Sequence, residues 1–208
     1  MGTTLTNERL PMKTKEIAVF GGSFDPPTVV HQQIVRTLLN DPSFDEVWMM
    51  PSGERKDKPH TTALARRMAM LATMCDELFA DERRLHLSDF EASLPQPTET
   101  YNTVQALEHS YPTTRFWFVF GADSVATMHT WREGERLLAE LPMIIVPRHG
   151  YETPTTARHI QELPNLEILE KEISSTQVRK RVSDGVSLDG LVSKSVERFI
   201  RHRQLYRA

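Results

Sequence analysis

Phe20-Gly21-Gly22-Ser23-Phe24-Asp25-Pro26-Pro27-Thr28-Val29-Val30-His31 is the stretch on which the reading of this chain turns. A short β-like run, Glu16-Ile17-Ala18-Val19-Phe20, leads into it, and a helix-like run from Val30 to Leu39 leads out. Two glycines where a strand ends let the main chain approach a ligand closely, with no Cβ in the way. A helix starting just after them turns unpaired N–H groups and the positive end of its dipole towards the same space. His31 falls on that first turn, where an imidazole N–H adds a directed donor. Such a corner suits phosphate. The plainer reading is a glycine turn with His31 on the surface.

Outward from this corner, apolar strands alternate with helices. Glu46 to Met50 reads as a second buried strand ending at Pro51, followed by a polar loop from Ser52 to His60. From Thr62 to Phe79, Leu64, Met68, Leu71, Ala72, Cys75 and Leu78 recur at helical spacing. Cys75 lies on that stripe and is read as packing. Arg84 to Phe90 alternates as a strand, with His86 facing away from Leu85 and Leu87. A helix is expected from about Glu99 to His109, then a strong strand from Arg115 to Phe120 that ends at Gly121-Ala122-Asp123. Ser124 to Leu141 reads as a helix broken near Trp131 to Gly134, and Met143 to Val146 as another buried strand. Weaker patterns predict a helix over Thr156 to Leu163, a strand over Leu166 to Leu169 and a helix over Ser175 to Val182. A last helix runs from Val192 to Leu205, with Val192, Val196, Phe199 and Ile200 on one face.

Short continuous apolar strands between helices predict an α/β fold, a parallel sheet covered on both faces. Ligands of such sheets bind at the carboxyl ends of the strands, near a switch in strand order. Gly21-Gly22 and Gly121 should therefore open onto one crevice. No G-x-G-x-x-G is present, which weighs against a nicotinamide-dependent dehydrogenase.

The 208 residues fit one large domain with a real core. Residues 1–14, polar and without a signal peptide's apolar core, read as a flexible leader, and 15–208 as one domain. No apolar run approaches the roughly 20 residues that span a membrane. A net charge of −3 gives no whole-protein case for nucleic acid. Cys75 as the single cysteine excludes an internal disulfide framework and agrees with a reducing, cytoplasmic setting.

The second informative stretch is Ile173-Ser174-Ser175-Thr176-Gln177-Val178-Arg179. Ser and Thr at a helix start are capping residues, and the backbone N–H groups there form another anion seat. Arg179, a turn further on, is placed to direct a guanidinium fork at phosphate. The plainer reading is a capped basic surface helix.

In order and spacing the two stretches resemble the signatures of nucleotidyltransferases of the pyridine-nucleotide branch. Gly-Gly-Ser-Phe-Asp-Pro with Thr28-x-x-His31 is similar to the first, in its Thr form, and Ile173-Ser174-Ser175-Thr176-x-x-Arg179 to the second. Gly121-Ala122-Asp123 followed by Trp131 is similar to the G-x-D…W pattern of nicotinate and nicotinamide mononucleotide adenylyltransferases. Val146 to Tyr151 resembles the segment after the next strand in the nicotinate enzymes. The likeness runs from about residue 15 to the C-terminus. It implies a Rossmann-like, doubly wound parallel sheet of nucleotidyltransferase type, with a small C-terminal helical part from about residue 172.

It also implies a reaction in which ATP and a pyridine mononucleotide give a dinucleotide and pyrophosphate. By the resemblance, His31 and Arg179 are catalytic. The ATP site would comprise Gly21, Gly22, Phe24, Thr28, His31, Gly121, Asp123, Ser175, Thr176 and Arg179. The mononucleotide site would comprise Ser23, Lys56, Lys58, Glu99, Thr100, Trp131 and Arg148. Asp123 either accepts from the ATP ribose or caps the helix after it. Trp131 either stacks on the pyridine or packs in the core. Mg²⁺ would arrive on ATP, held by phosphate and water rather than protein side chains. The expected partners are ATP and a pyridine mononucleotide, with no nucleic acid and no membrane; a homo-oligomer is left open.

The chain departs from the family pattern twice. The nicotinate enzymes' Pro-Pro-His-Lys is replaced by Lys58-Pro59-His60-Thr61, so the lysine's task passes to Lys56 or Lys58. The substrate-reading Ser-Tyr-Thr-x-Asp-Thr-Leu is replaced by Thr98-Glu99-Thr100-Tyr101-Asn102-Thr103-Val104. Glu99 repels a nicotinate carboxylate but accepts from a nicotinamide amide, which leaves the choice of pyridine open. Two other functions compete with this reading. One is nucleotidyl transfer to another phosphate, such as phosphopantetheine or a glycerol or choline phosphate; the Asp123…Trp131 pair argues against it. The other is a catalytically silent nucleotide-binding module, against which the presence of both His31 and Arg179 argues.

Overall fold

Alternation along each strand divides the apolar side chains between two faces. In the computed structural model, which describes residues 14–54, 60–152, 160–163 and 173–207, β1 spans Lys15–Gly22. Its Ala18 and Phe20 join one buried cluster, while Ile17 and Val19 join another on the opposite face. The same split recurs in β5 (Met143–Val146), where Ile144 and Val146 face one way and Met143 and Ile145 the other. That period of two is what a sheet buried on both sides requires.

The strands β2 (Glu46–Pro51), β3 (Leu85–Leu87), β4 (Thr114–Gly121) and β6 (Ile160–Glu162) complete a parallel sheet. Its order is β3-β2-β1-β4-β5-β6. Strand order reverses between β1 and β4, the switch point at which doubly wound sheets bind ligands. Their pairing runs from Lys15↔Thr114 to Phe20↔Val119, and both strands end in glycine just beyond it.

Helices cover both faces. On one lie α1 (Val29–Asn40), α2 (Leu64–Leu78), α7 (Ser175–Ser183) and α8 (Lys194–His202), contributing Ile34, Leu71, Val178 and Val196 to the core. On the other lie α4 (Thr100–Ser110), α5 (Ala122–Thr127) and α6 (Gly134–Glu140), contributing Leu107, Val125 and Leu137. The break between α5 and α6 falls at residues 131–133, after a 3₁₀ turn over Met128–Thr130.

Three expectations change. Residues 160–162, read as part of a helix, instead supply β6, with Met143↔Ile160 and Ile145↔Glu162 in register. Ile160 and Leu163 stand at helical spacing, but pairing with β5 overrides that local preference. The strand expected over Arg84 to Phe90 is only Leu85–Leu87, and a short helix, α3 (Phe90–Ser93), begins where it was to continue. On α2 the buried line is Arg67, Met70, Leu71 and Met74, not the line through Met68 and Cys75. Cys75 still packs against the core, and burial pushes its thiol up to about 12. The leader up to residue 13 and the strand expected over Leu166 to Leu169 lie outside the described residues. Among the described residues, no helix is long and apolar enough to cross a membrane.

Candidate functional site

The ends of β1 and β4 set the floor of the site. A Cβ built on Gly21 would meet nothing within 4 Å, so the cavity comes down to the main chain there. A Cβ on Gly22 would stand 3.1 Å from the Phe24 ring. Phe24 has a φ of 48°, in the left-handed region that non-glycine residues seldom occupy. That conformation turns its ring inward, to 1 % exposure, with centroids 5.4 Å from Phe20 and 5.1 Å from His31. Phe24, expected at ATP, therefore props the imidazole from behind and does not line the cavity.

Thr28 caps α1, and His31 is the third residue of the helix, where a capping box usually places Glu or Gln. The Thr28 N–H donates to His31 Nδ1 at 2.8 Å, and the Thr28 hydroxyl lies 2.8 Å from the same nitrogen. A backbone N–H is a fixed donor, so Nδ1 is the acceptor and the ring proton sits on Nε2. The Val29 N–H donates to the Leu191 carbonyl. What α1 presents to the cavity is thus its dipole and the His31 Nε2–H, rather than those two amides. Burial first, and the Arg148 guanidinium second, hold the His31 pKa down to about 4. The ring is a neutral donor at pH 7.

That depression has a stability consequence. Between about pH 6.5 and 4 the unfolded chain takes up a proton at His31 that the folded chain refuses. Stability is fully present above 6.5 and falls as pH is lowered, by at most about 1.4 kcal/mol per pH unit. Urea unfolding at pH 7 and pH 5 measures this, and the drop should shrink in His31→Ala.

A second helix start faces the first. Ser174 caps α7, its Oγ accepting from the Gln177 N–H at 3.2 Å. The Ser175 hydroxyl donates to the Pro26 carbonyl at 2.8 Å. Arg179 donates from Nη1 to the Asp25 carbonyl at 2.7 Å and from Nη2 to Thr176 Oγ1 at 3.1 Å. The α7 start is thereby fastened to the Asp25-Pro26 turn, so both expected signatures share one scaffold.

Beneath that scaffold lies a group of residues that the sequence reading missed. Arg67, 1 % exposed, donates to three main-chain carbonyls: Thr62 at 3.1 Å, Ser23 at 2.9 Å and Ser52 at 2.8 Å. The buried Asp25 carboxylate accepts from the N–H groups of Thr61 (2.9 Å) and Thr62 (3.1 Å) and from the Tyr206 hydroxyl (2.6 Å). The available signal was Arg67 standing four residues before Leu71 and seven before Met74, a charge on the core line of a helix.

These elements enclose a cavity of about 390 Å³ at the switch point. Its wall includes Gly21, Ser23, Thr28 and His31 from the first stretch and Ser175, Thr176 and Arg179 from the second. Gly121 and Asp123 from the end of β4 line it as well. Arg148 lines this cavity too, 3.8 Å from Asp123. It had been expected with Trp131, but it follows β5, whose Val146 pairs with Gly121, and so emerges beside Asp123.

A second cavity of about 610 Å³ adjoins the first and shares Gly21, Val119, Phe120 and Ser124 with it. Gly22, Glu99, Thr100 and Trp131 line it. Trp131 stands edge-on to Phe120 with centroids 6.0 Å apart, so core packing holds an indole that also faces a cavity. Trp48 and Trp117, read as core, are partly buried and donate to Glu46 and Glu16. Lys56 and Lys58 lie outside the described residues.

The family model described as Cytidylyltransferase-like matches residues 19–181, more than half of the chain. A curated relative from Exiguobacterium sibiricum, named "Probable nicotinate-nucleotide adenylyltransferase", is 31 % identical over 92 % of this chain and 98 % of its own length. The nicotinate-nucleotide adenylyltransferase of Bacillus subtilis is 29 % identical over the same shares. Among solved structures, Plasmodium falciparum nicotinic acid mononucleotide adenylyltransferase complexed with NaAD superposes with a TM-score of 0.82 at 24 % identity, covering 92 % of this chain and 97 % of that one. At that identity the match shows the fold.

Proposed function

As this chain belongs to the cytidylyltransferase-like family, among its nicotinate-nucleotide adenylyltransferases, we propose that it transfers the adenylyl group of ATP to nicotinate mononucleotide. The products are the dinucleotide and pyrophosphate, a step of NAD biosynthesis. The observation that carries this reading is the pair of adjoining cavities. One is lined by phosphate donors and the other by Trp131, and they meet at the bare main chain of Gly21.

In this reading an oxygen of the mononucleotide phosphate attacks the α-phosphorus of ATP in line. The new O–P bond forms as the bond to the bridging oxygen breaks, and that electron pair leaves with pyrophosphate. Positioning and charge stabilisation suffice, with no enzyme nucleophile. The neutral His31 Nε2–H and Thr28 meet the phosphates near the reacting centre. Arg179 and Thr176 take the β- and γ-phosphates, with the Ser175 hydroxyl holding the Pro26 turn instead. Asp123 accepts from the ribose, and Arg148 beside it serves the ATP side. Ser23 contacts the mononucleotide phosphate, while Trp131 stacks on the pyridine near Thr100. The first cavity's wall fits an ion brought in on phosphate, since its Asp123 is already opposed by Arg148. Mg²⁺ bound to ATP would neutralise charge there. In this reading residues 15–208 act as one catalytic unit, in the cytoplasm.

Pyrophosphate release from Mg-ATP with nicotinate mononucleotide tests the reading, with CTP and phosphopantetheine as alternative substrates. Release only with phosphopantetheine would overturn it, as would ATP binding with no release from any acceptor.

Gly21→Ala separates fold from chemistry. Its Cβ meets no protein atom, so unfolding free energy should change by less than about 1 kcal/mol. The methyl enters the space where the two substrates meet, and kcat/KM should fall by about tenfold or more. Normal kcat/KM in a normally stable variant would refute the role given to Gly21.

A further inference from the structure

The turn after α8 carries a side chain that the chemistry above does not use. The helix ends in a Schellman turn: the Gln204 N–H donates to the Arg201 carbonyl at 3.3 Å and the Leu205 N–H to the Ile200 carbonyl at 3.0 Å. The reversing position of such a turn usually holds glycine, and here it is Gln204, with a φ of 52°. Leu205 then enters the core with Ile200, both buried. Tyr206 follows with a φ of 61°, so two of three successive non-glycine residues occupy the left-handed region. Such positions persist only where the surroundings hold them, and they gather at functional sites.

Asp25 is what holds Tyr206. The phenol hydroxyl donates to Asp25 Oδ1 at 2.6 Å and lies 3.9 Å from the Met70 sulfur. The other oxygen, Asp25 Oδ2, accepts from the Thr61 and Thr62 N–H groups. Burial first, and the Asp25 carboxylate second, raise the Tyr206 pKa above its ordinary value, so the phenol remains a donor. Packing alone needs only the ring, which phenylalanine would supply. The hydroxyl adds a charge-assisted bond to a buried carboxylate.

The main chain beside that carboxylate carries the phosphate grip. The Asp25 carbonyl accepts from Arg179 Nη1 at 2.7 Å, and the next carbonyl, of Pro26, accepts from the Ser175 hydroxyl at 2.8 Å. Where Asp25 stands therefore sets where the Arg179 guanidinium points and how the start of α7 sits. Asp25, Thr61 and Arg179 all line the first cavity, and Tyr206 stands behind them. We propose that Tyr206 is a positioning residue for ATP's phosphates: through Asp25 it fixes the turn that aims Arg179 into the cavity. The inference rests on the reading above in one respect, that ATP's phosphates occupy the first cavity, and not on the identity of the acceptor.

The test compares the wild type with Tyr206→Phe and with Val196→Ala, a core truncation on α8 that takes no part in the Asp25 contacts. Melting curves are recorded first. Calorimetric Kd for Mg-ATP and steady-state constants with nicotinate mononucleotide follow, at a temperature where every variant is folded. A misplacement of about 1 Å costs about 10²-fold, and losing one hydroxyl permits a fraction of that. Tyr206→Phe should therefore lower kcat/KM for ATP about tenfold and weaken ATP binding about fivefold, with KM for the mononucleotide within about twofold of the wild type. Val196→Ala should melt lower than the wild type with its ATP constants unmoved. Beside Arg179→Lys, the Tyr206→Phe change should cost less than about twofold, because the group it aims is already gone. Unchanged ATP constants in Tyr206→Phe, an equal loss in Val196→Ala, or an undiminished loss beside Arg179→Lys each overturns the inference. Weakened ATP binding in Tyr206→Phe, with no pyrophosphate released by the wild type, supports the inference and overturns the function. No ATP binding by the wild type overturns both.

Discussion

His31→Ala should lower kcat by at least ~10²-fold while leaving the protein folded, the loss expected when a single aimed donor is removed from a transition state. The size follows from preorganisation. The imidazole is fixed on three sides before any substrate arrives: Nδ1 is held by the Thr28 N–H, one face meets Phe24, and Phe20 packs at a centroid distance of 5.8 Å. The depressed pKa keeps the ring neutral across the working range, so its single proton lies on Nε2. A donor that pays no reorganisation when the pyrophosphate oxygen gains charge is worth more than the same donor in water. His31→Gln keeps an N–H but loses the ring that Thr28 and Phe24 position, and it should recover only part of the loss. KM for ATP should change much less than kcat, because several other groups hold the phosphates. Near-normal turnover by His31→Ala would sink the role.

What sequence could and could not reveal follows the range of the forces involved. Strand alternation and helical spacing are local, so the parallel sheet, its glycine-ended strands and the crevice they share were legible from residues 16–39 and 115–123. Thr28-x-x-His31 was legible as a motif, but its capping-box spacing also fixed the tautomer, and that consequence went unread. Phe24 was placed at ATP because it sits inside the first signature, yet its positive φ sends the ring under the site instead. Arg148 was assigned by its place in a motif, whereas the β4–β5 register decides what it faces. Arg67 was legible only as a charge on the core line of α2, and nothing local says which carbonyls it holds. Tyr206 was invisible for a deeper reason: its partner Asp25 is 181 residues away, and no local pattern encodes such a contact.

Arg67→Met should destabilise the protein by about 3–5 kcal/mol, the cost of breaking a buried charge system by removing one member. Methionine fills much of the space, so the loss comes from chemistry rather than a void. Three carbonyls, of Thr62, Ser23 and Ser52, lose their donors in a buried setting, and Asp25 loses a neighbouring positive charge. For a chain of this length the melting temperature should drop by roughly 6–20 °C. Arg67→Lys tests the geometry separately from the charge. An ammonium group cannot reach three divergent carbonyls as a guanidinium fork does, so its stability should fall between the two. The carbonyls belong to the turn after β1, the loop after β2 and the approach to α2, so the arginine holds together the two loops that border both cavities. Turnover in Arg67→Lys should therefore fall as well, chiefly through kcat, because the same substrate groups remain but are held less accurately. If Arg67→Met melted with the wild type, the buried arginine would be filling space only. The rigidity of the Gly21–His31 corner would then need another cause.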